Sequence, residues 1–213
     1  MKSSLSQRNH NITEAEGKVY VNQYLENNPL GEGGVAAYFS AAALRKVLAQ
    51  PNAAGIRYYY GKDLEDGNVL VLTATNEAGH DLLDEAVLFL GAPLAEDERP
   101  GFTSPQLSVA AAAGYTARYR AGINQGEIHG GAFNRAAVER VLNQPDTPGL
   151  TFHFGLNEHR QRVIVISAVT PQGEDRWQGQ LAELGLPCPP VCGLLNPLNS
   201  GLPAMRGVTL KVM

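Results

Sequence analysis

Apolar and polar positions along this chain predict two helices followed by two strands, and the whole series occurs twice. First helices are predicted over residues 14–25 and 109–120, because Thr13 and Ser108 supply hydroxyls that can accept a backbone N–H at a helix start. Second helices follow, with apolar residues at helical spacing: Phe39, Ala43, Val47 and Leu48 in one series, and Phe133, Ala137, Val141 and Leu142 in the other. Each ends near a Gln-Pro pair, since proline disfavours helical backbone in the residue before it.

The rest of each series predicts a β-hairpin and a last short helix. Strands are predicted over residues 56–60 and 69–75, and again over 150–154 and 163–169. The second strands, VLVLTAT and VIVISAV, are apolar on both faces, so both faces should be covered. The module's own helices should cover one face of the strand, and the other copy or a separate subunit should cover the second face. The final helices are predicted at about 84–90 and 178–184.

The two series are copies of one module. Residues 39–81 align with residues 133–175 without a gap, and roughly a third of the aligned positions are identical. We therefore predict an α+β fold of two tandem pseudo-symmetric modules, each helix-helix-β-hairpin-helix, packed around a shared antiparallel sheet core. The predicted division is repeat module 1 at 12–94, a linker at 95–106, repeat module 2 at 107–188 and a C-terminal tail at 189–213.

Charge and composition narrow the functional classes. The 213 residues carry a net charge of −4 with 44% hydrophobic residues, and basic residues are scattered, which argues against nucleic acid or an anionic membrane as partner. Residues 1–13 are polar, so we expect no signal peptide and a cytoplasmic location. In that compartment the two cysteines should be mostly reduced.

The tract GIRYYYG, followed by an apolar strand and then LGLPCPPVC, resembles an uncharacterised family of small bacterial proteins with a (V/I)RIYYG-like strand and a terminal CPPxC motif. Each module matches the family once, so the chain looks like a fused tandem pair. The second copy keeps both cysteines but has Thr151-Phe152-His153-Phe154 as its aromatic strand, and the first copy has Leu94 where a cysteine would fall. The resemblance implies no established activity.

Cys188 and Cys192 are the candidate metal ligands. Thiols at this spacing allow half of a metal site, a local disulfide or redox exchange, and these alternatives stay open. A structural zinc site needs four ligands, and the chain has no second cysteine pair, so a dimer or a histidine would have to complete it.

Two other groups of polar residues contain potential metal ligands. His153, His159 and Glu158 flank the second hairpin, but the first copy has Tyr59 and Glu65 at the positions of His153 and His159. The acidic first hairpin, residues 63–68, only loosely resembles a calcium loop, and a solvated turn is the favoured interpretation.

Tyr59 and the tail are the candidate interaction residues. Tyr58 and Tyr60 share the phase of Ile56 and should lie in the core, whereas Tyr59 has the opposite phase and is a candidate outward-facing ring. The tail ends in alternating residues that resemble a strand, with Val208, Leu210 and Val212 on one side. Such a strand pairs either within the chain or with a neighbouring subunit.

The functional hypothesis is a non-catalytic interaction or self-assembly protein, with a protein partner or itself as partner. It is based on the two-faced strands, the strand-like tail and the lack of a polar constellation present in both copies. No catalytic residues and no cofactor are predicted. The alternative is a thiol-dependent metal-binding or redox protein that uses Cys188 and Cys192, and a third hypothesis is a small-molecule binder in the cleft between the copies.

Overall fold

The computed structural model describes residues 5–28, 34–83 and 87–201. Within them the helices are α1 (Glu14–Asn27), α2 (Ala41–Leu48), α3 (Val109–Ala121), α4 (Arg135–Leu142) and α5 (Pro197–Ser200), with 3-10 turns at Leu5–Gln7 and Glu96–Glu98. The strands are β1 (Asn11–Ile12), β2 (Ala36–Ser40), β3 (Gly55–Lys62), β4 (Asn68–Thr75), β5 (Leu88–Gly91), β6 (Gln106–Leu107), β7 (Gly130–Asn134), β8 (Gly149–Leu156), β9 (Arg162–Ala168), β10 (Leu181–Ala182) and β11 (Leu186–Cys188). The predicted α+β class is confirmed.

The predicted starts of the first helices are confirmed by their caps. Thr13 Oγ1 accepts the backbone N–H of Glu16 at 3.2 Å, and the Glu16 carboxylate accepts the backbone N–H of Thr13 at 2.8 Å. Ser108 Oγ accepts the backbone N–H of Ala111 at 3.2 Å. Each bond satisfies a donor that has no partner inside its helix.

The starts of the second helices differ from the prediction. Phe39 and Phe133 lie in β2 and β7, not in helices, and the caps are the residues that follow them. Ser40 Oγ accepts from the backbone of Ala43 at 3.4 Å, and Asn134 Oδ1 accepts from the backbone of Ala137 at 2.8 Å. The apolar spacing continues across this boundary, which is why periodicity alone placed it too early.

Strands from both halves of the chain form each of two antiparallel sheets. The first sheet has the order β1-β10-β9-β8-β2 and the second the order β11-β7-β3-β4-β5-β6. The halves exchange strands, because β2 pairs with β8 and β7 pairs with β3. This exchange confirms a shared sheet core. A pseudo-twofold relation between the modules stays a prediction.

The predicted final helices are wrong in the described residues. The segments at 84–90 and 178–184 contribute β5 and β10, with residues 84–86 lying outside the described residues. Strand β5 pairs with β4 and β6, and β10 pairs with β9 and β1. Pairing with these neighbours satisfies the backbone groups and so overrides local helix propensity.

Helices cover the faces of the sheets. One continuous core joins both halves, with Phe39, Leu44 and Ile56 from the first half and Val138 and Phe152 from the second. Helices α2 and α4 contact both sheets, whereas α1 packs on β8 and β9 and α3 packs on β3 and β4. The two-faced strands are thus covered within the chain.

Tyr59 is buried, contrary to the expectation that its ring faces outward. The predicted phase is correct: Tyr58 and Tyr60 belong to the core shared by the two sheets, and Tyr59 lies on the other face of β3. That face is itself covered, because Tyr59 packs in a second cluster with Ala112 of α3 and Leu198 of α5.

Candidate functional site

The two cysteines are joined in a disulfide at the end of the second sheet. Cys188 is the last residue of β11 and pairs with Gly130 of β7, and the chain returns over four residues to Cys192. The expectation of free, reduced thiols therefore differs from this structure. Cys188 has no exposed surface, whereas Cys192 is partly exposed. Cys192 is thus the more accessible residue of the two.

His129 lies against this disulfide. It immediately precedes β7, and its backbone N–H donates to the carbonyl oxygen of Cys188 at 2.8 Å. Its Nε2 lies 3.2 Å from Sγ of Cys188 and 3.9 Å from Sγ of Cys192. The imidazole is nearly parallel to the Tyr59 ring, with 6.4 Å between centroids and 11° between planes. Among the described residues, His129, Cys188 and Cys192 form the one group of His, Cys, Asp or Glu side chains that is close enough to share an ion. Their ligand atoms lie within 4.8 Å of one another.

The surroundings of His129 favour a neutral imidazole. Burial lowers the pKa of His129, and the positive charges of Arg120 and Arg57 lower it further, while a hydrogen bond to the backbone of Glu127 opposes the shift. A neutral imidazole keeps one ring nitrogen as an acceptor or a metal ligand.

A buried ion pair between Arg57 and Asp81 is hydrogen-bonded to the disulfide loop. Arg57 Nε lies 2.9 Å from Oδ1 of Asp81, and the two side chains are 0% and 1% exposed. Arg57 also donates to the carbonyl oxygens of Val191 at 2.7 Å and Gly79 at 2.9 Å. The Val191 contact lies inside the Cys188–Cys192 loop, so the ion pair fixes the position of that loop.

Asp81 gathers further donors on the same side. Its Oδ2 accepts from the Tyr59 hydroxyl at 2.5 Å and from Nδ2 of Asn196 at 2.9 Å. Burial raises the pKa of Asp81, and the Arg57 charge and these two hydrogen bonds oppose that rise. Tyr59 therefore joins the carboxylate to the stacked imidazole of His129, and this whole group is called the thiol–imidazole site below.

A similar ion pair occurs in the second half of the chain, contrary to the expectation that no polar constellation recurs. Gly173 and Asp175 align with Gly79 and Asp81. Arg99 comes from the predicted linker, lies 3.0 Å from Oδ2 of Asp175, and donates to the carbonyl oxygen of Gly173 at 3.1 Å. The Gly-x-Asp sequence that occurs in both halves is a signal for the two carboxylates. The arginine, however, belongs to β3 in the first half and to the predicted linker in the second.

His153 and His159 have separate contacts, in agreement with the expectation that they do not form a metal site. His153 is buried, and its Nε2 lies 2.9 Å from Ser167 Oγ and 3.5 Å from Asp175 Oδ1. His159 is exposed and lies 3.5 Å from Glu158. Ser167, His153 and Asp175 also fail as a catalytic triad, because Ser167 is fully buried and donates directly to Asp175, and one nitrogen of His153 faces both partners.

The remaining candidates are the acidic first hairpin and the residues of the tail. Asp63 Oδ1 accepts the backbone N–H groups of Glu65 and Gly67 at 2.9 and 2.7 Å, which confirms a turn rather than a calcium loop. Val208, Leu210 and Val212 lie outside the described residues.

A surface cavity of about 730 Å³ lies between the copies, lined by Tyr24, Tyr119 and Arg162, among others. The Arg162 guanidinium lies 5.9 Å from the ring centroids of both Tyr24 and Tyr119. These contacts occupy Arg162, and the cavity is also lined by charges of both signs, with Lys62 and Asp66 3.5 Å apart, so no single ligand charge is favoured. The hypothesis of a small-molecule binder stays a prediction.

Comparison of the chain with protein-family models, curated proteins and solved structures finds no significant match. The resemblance to the small bacterial family stays a prediction. No helix in the described part of the chain has the length and apolar character needed to cross a bilayer. The thiol–imidazole site could be predicted from the sequence only in part, since no local signal joins His129 to cysteines that follow it by 59 and 63 residues.

Proposed function

We propose that this chain is a thiol-dependent redox protein whose Cys188–Cys192 disulfide exchanges with the dithiol of a partner protein. The observation that carries the proposal is the contact of His129 Nε2 with both sulfurs of a disulfide that joins one buried and one partly exposed cysteine. A purely structural crosslink has no need of an imidazole against its sulfurs, whereas exchange gains from one.

The exchange is a two-electron transfer between two dithiol–disulfide pairs. A partner thiolate attacks Sγ of Cys192, the S–S bond breaks, and Sγ of Cys188 leaves as a thiolate. The second partner thiolate then attacks the partner's own sulfur in the mixed disulfide, and Sγ of Cys192 leaves. The partner is oxidised to a disulfide and gives up two protons, and the pair in this chain takes them up as two thiols.

The site assigns different tasks to its residues. Cys192 is the attacked sulfur, because it is partly exposed while Cys188 is fully buried. Charge on the departing Cys188 sulfur is stabilised by the nearby imidazole of His129 and by the guanidinium groups of Arg57 and Arg120, whose charges already act on that imidazole. Arg57 also positions the loop through the Val191 carbonyl.

Redox titration tests the proposal. The full chain is equilibrated in buffers of varied reduced-to-oxidised glutathione ratio, quenched with an alkylating agent and weighed by mass spectrometry. We expect both thiols to appear together in one two-electron transition. A pair that oxidised glutathione never oxidises, at any ratio, contradicts the proposal.

Single cysteine variants test the order of attack. In Cys188→Ser the remaining Cys192 is accessible and has no resolving thiol, so we expect a stable mixed disulfide with glutathione. The matched variant Cys192→Ser leaves only the buried Cys188, which should react at least ~10-fold more slowly, since reactivity follows exposure. Equal reaction of the two variants contradicts the assignment of Cys192 as the attacked sulfur.

Self-assembly is a second candidate, and one observation favours it. Leu194 and Leu195 expose 64% and 70% of their surface, directly after the thiol–imidazole site. Strands β4 and β9, which are apolar on both faces, do not support assembly, because other elements of the same chain cover both faces. Light scattering across a concentration range compares the native chain with the double variant Leu194→Asp/Leu195→Asp. A larger mass for the native chain alone supports assembly, and a monomeric mass for both contradicts it.

A further inference from the structure

We infer that reduction converts the thiol–imidazole site into a metal site, in which Cys188, Cys192 and His129 hold a thiophilic divalent ion of the zinc class. Exchange with a partner disulfide, which is thereby reduced to a dithiol, re-forms the Cys188–Cys192 disulfide and releases the ion. The inference rests on the proposed function, because it requires that the pair exists in both redox states.

The distances between the imidazole nitrogen and the two sulfurs fit such an ion. Nε2 of His129 lies 3.2 and 3.9 Å from the two sulfurs. In a tetrahedral zinc site the Zn–S and Zn–N bond lengths place a sulfur and a nitrogen ligand about 3.5 Å apart. The two distances in this structure bracket that value, so the imidazole already has the position of a third ligand.

The elements around the site hold these donors in place. Cys188 belongs to β11, and the backbone N–H of His129 donates to its carbonyl oxygen, which joins the two ligands through the main chain. Tyr59 lies nearly parallel to the imidazole, with 6.4 Å between the ring centroids. Two cations act on the imidazole, Arg120 and Arg57. Arg57 is paired with Asp81, and the two thiolates formed on reduction offset the charge of Arg120.

Redox state controls the site because both uses require the same sulfur atoms. A metal ligand must be a thiolate, and the sulfurs of a disulfide carry no such charge. Soft thiolate ligands select zinc-class ions over Mg²⁺ and Ca²⁺, which prefer oxygen ligands. Among the described residues no fourth His, Cys, Asp or Glu joins the group, so the remaining position is open to water or to an incoming ligand.

Cobalt titration of the full chain tests the inference. The chain is reduced with a phosphine, freed of metal by a chelator, and titrated with Co²⁺, whose bonds to thiolates produce a characteristic charge-transfer absorption. We expect one Co²⁺ per reduced chain, displacement by Zn²⁺ and not by Mg²⁺, and no binding after oxidation to the disulfide.

Histidine variants show whether His129 is a ligand. We expect His129→Asn to weaken Zn²⁺ binding at least ~10-fold, since even the loss of a group that only orients a ligand has an effect of that size. His159→Asn is the matched control, because His159 is an exposed histidine that does not belong to the group close enough to share an ion, and the variant should bind as the native chain does.

The outcomes separate the two proposals. Reversible disulfide exchange with no Co²⁺–thiolate absorption overturns the metal inference and leaves the redox function standing. Ion binding by a pair that never forms a disulfide overturns the redox function and the release mechanism together. Equal affinity in His129→Asn and the native chain, or binding by the oxidised chain, overturns the three-ligand site.

Discussion

Arg57 Nη1 donates to the carbonyl oxygen of Val191 at 2.7 Å, and this bond joins the disulfide loop to a buried ion pair 134 residues earlier in the chain. The pair with Asp81 is almost fully removed from solvent. A buried ion pair contributes little net stability, but removing one partner leaves an uncompensated charge. The contact therefore makes the position of the loop depend on the charge of one arginine in β3.

Replacement of Arg57 should strongly lower the free energy of unfolding. Arg57→Met leaves the Asp81 carboxylate buried without its cation, and we expect the free energy of unfolding to fall by about 3–5 kcal/mol. Urea denaturation of the oxidised chain measures the loss. Arg99→Met is the matched control at the second ion pair, whose side chains are 10% and 12% exposed, so water can solvate the charge left behind and the loss should be smaller. Equal losses would contradict the buried-charge explanation.

Removal of the disulfide should have a modest effect on stability. The bond closes a loop with a sequence separation of 4, and the chain-entropy relation assigns about 2 kcal/mol to a loop of that size. We expect reductant to lower the stability of the native chain by about this amount. The double variant Cys188→Ala/Cys192→Ala should show no response to reductant, and a response that persists there would place the effect elsewhere.

The prediction of the fold from sequence succeeded where the pattern is local and failed where pairing is remote. The caps at Thr13 and Ser108 depend on residues three positions away, and the structure confirms both. Strand β5 owes its conformation to β4 and β6, which no local pattern reveals. The candidate site divides in the same way: the cysteines were evident, whereas His129 reaches them only because β7 pairs with β11.

Gly55 and Gly149 align with each other in the two halves, and each lies where a strand of one half pairs with a strand of the other. A Cβ added at Gly55 would lie 2.1 Å from the carbonyl oxygen of Phe133, and one at Gly149 would lie 2.3 Å from the carbonyl oxygen of Phe39. Because backbone must shift to admit a methyl group, we expect Gly55→Ala and Gly149→Ala each to destabilise the chain by about 1–3 kcal/mol or more.

Thermal unfolding measures this effect, with Gly101→Ala as control. Gly101 is exposed, and an added Cβ there meets no atom within 4 Å, so its substitution should change stability by less than about 0.5 kcal/mol. A neutral Gly149→Ala variant would show that the strands of the two halves are not packed as closely as described.

His10 and Glu183 should give opposite contributions to the pH dependence of stability. The two are in contact, since His10 Nδ1 lies 3.0 Å from the backbone carbonyl oxygen of Glu183. Burial raises the pKa of Glu183 from 4.5 to about 7 and lowers the pKa of His10 from 6.5 to about 4. A raised carboxyl pKa means that stability is lost as pH rises from about 4.5 through 7. A lowered imidazole pKa means that stability is lost as pH falls from about 6.5 through 4.

Between about pH 4.5 and 6.5 the two contributions nearly cancel in the native chain, and single variants should expose each one. In Glu183→Gln the His10 contribution remains, so the free energy of unfolding should rise with pH across this window. In His10→Gln the Glu183 contribution remains, so the free energy of unfolding should fall. Each change is on the order of 3 kcal/mol. Urea denaturation at a series of pH values measures both slopes, and variants whose slopes match that of the native chain would show that neither group is buried in the form described.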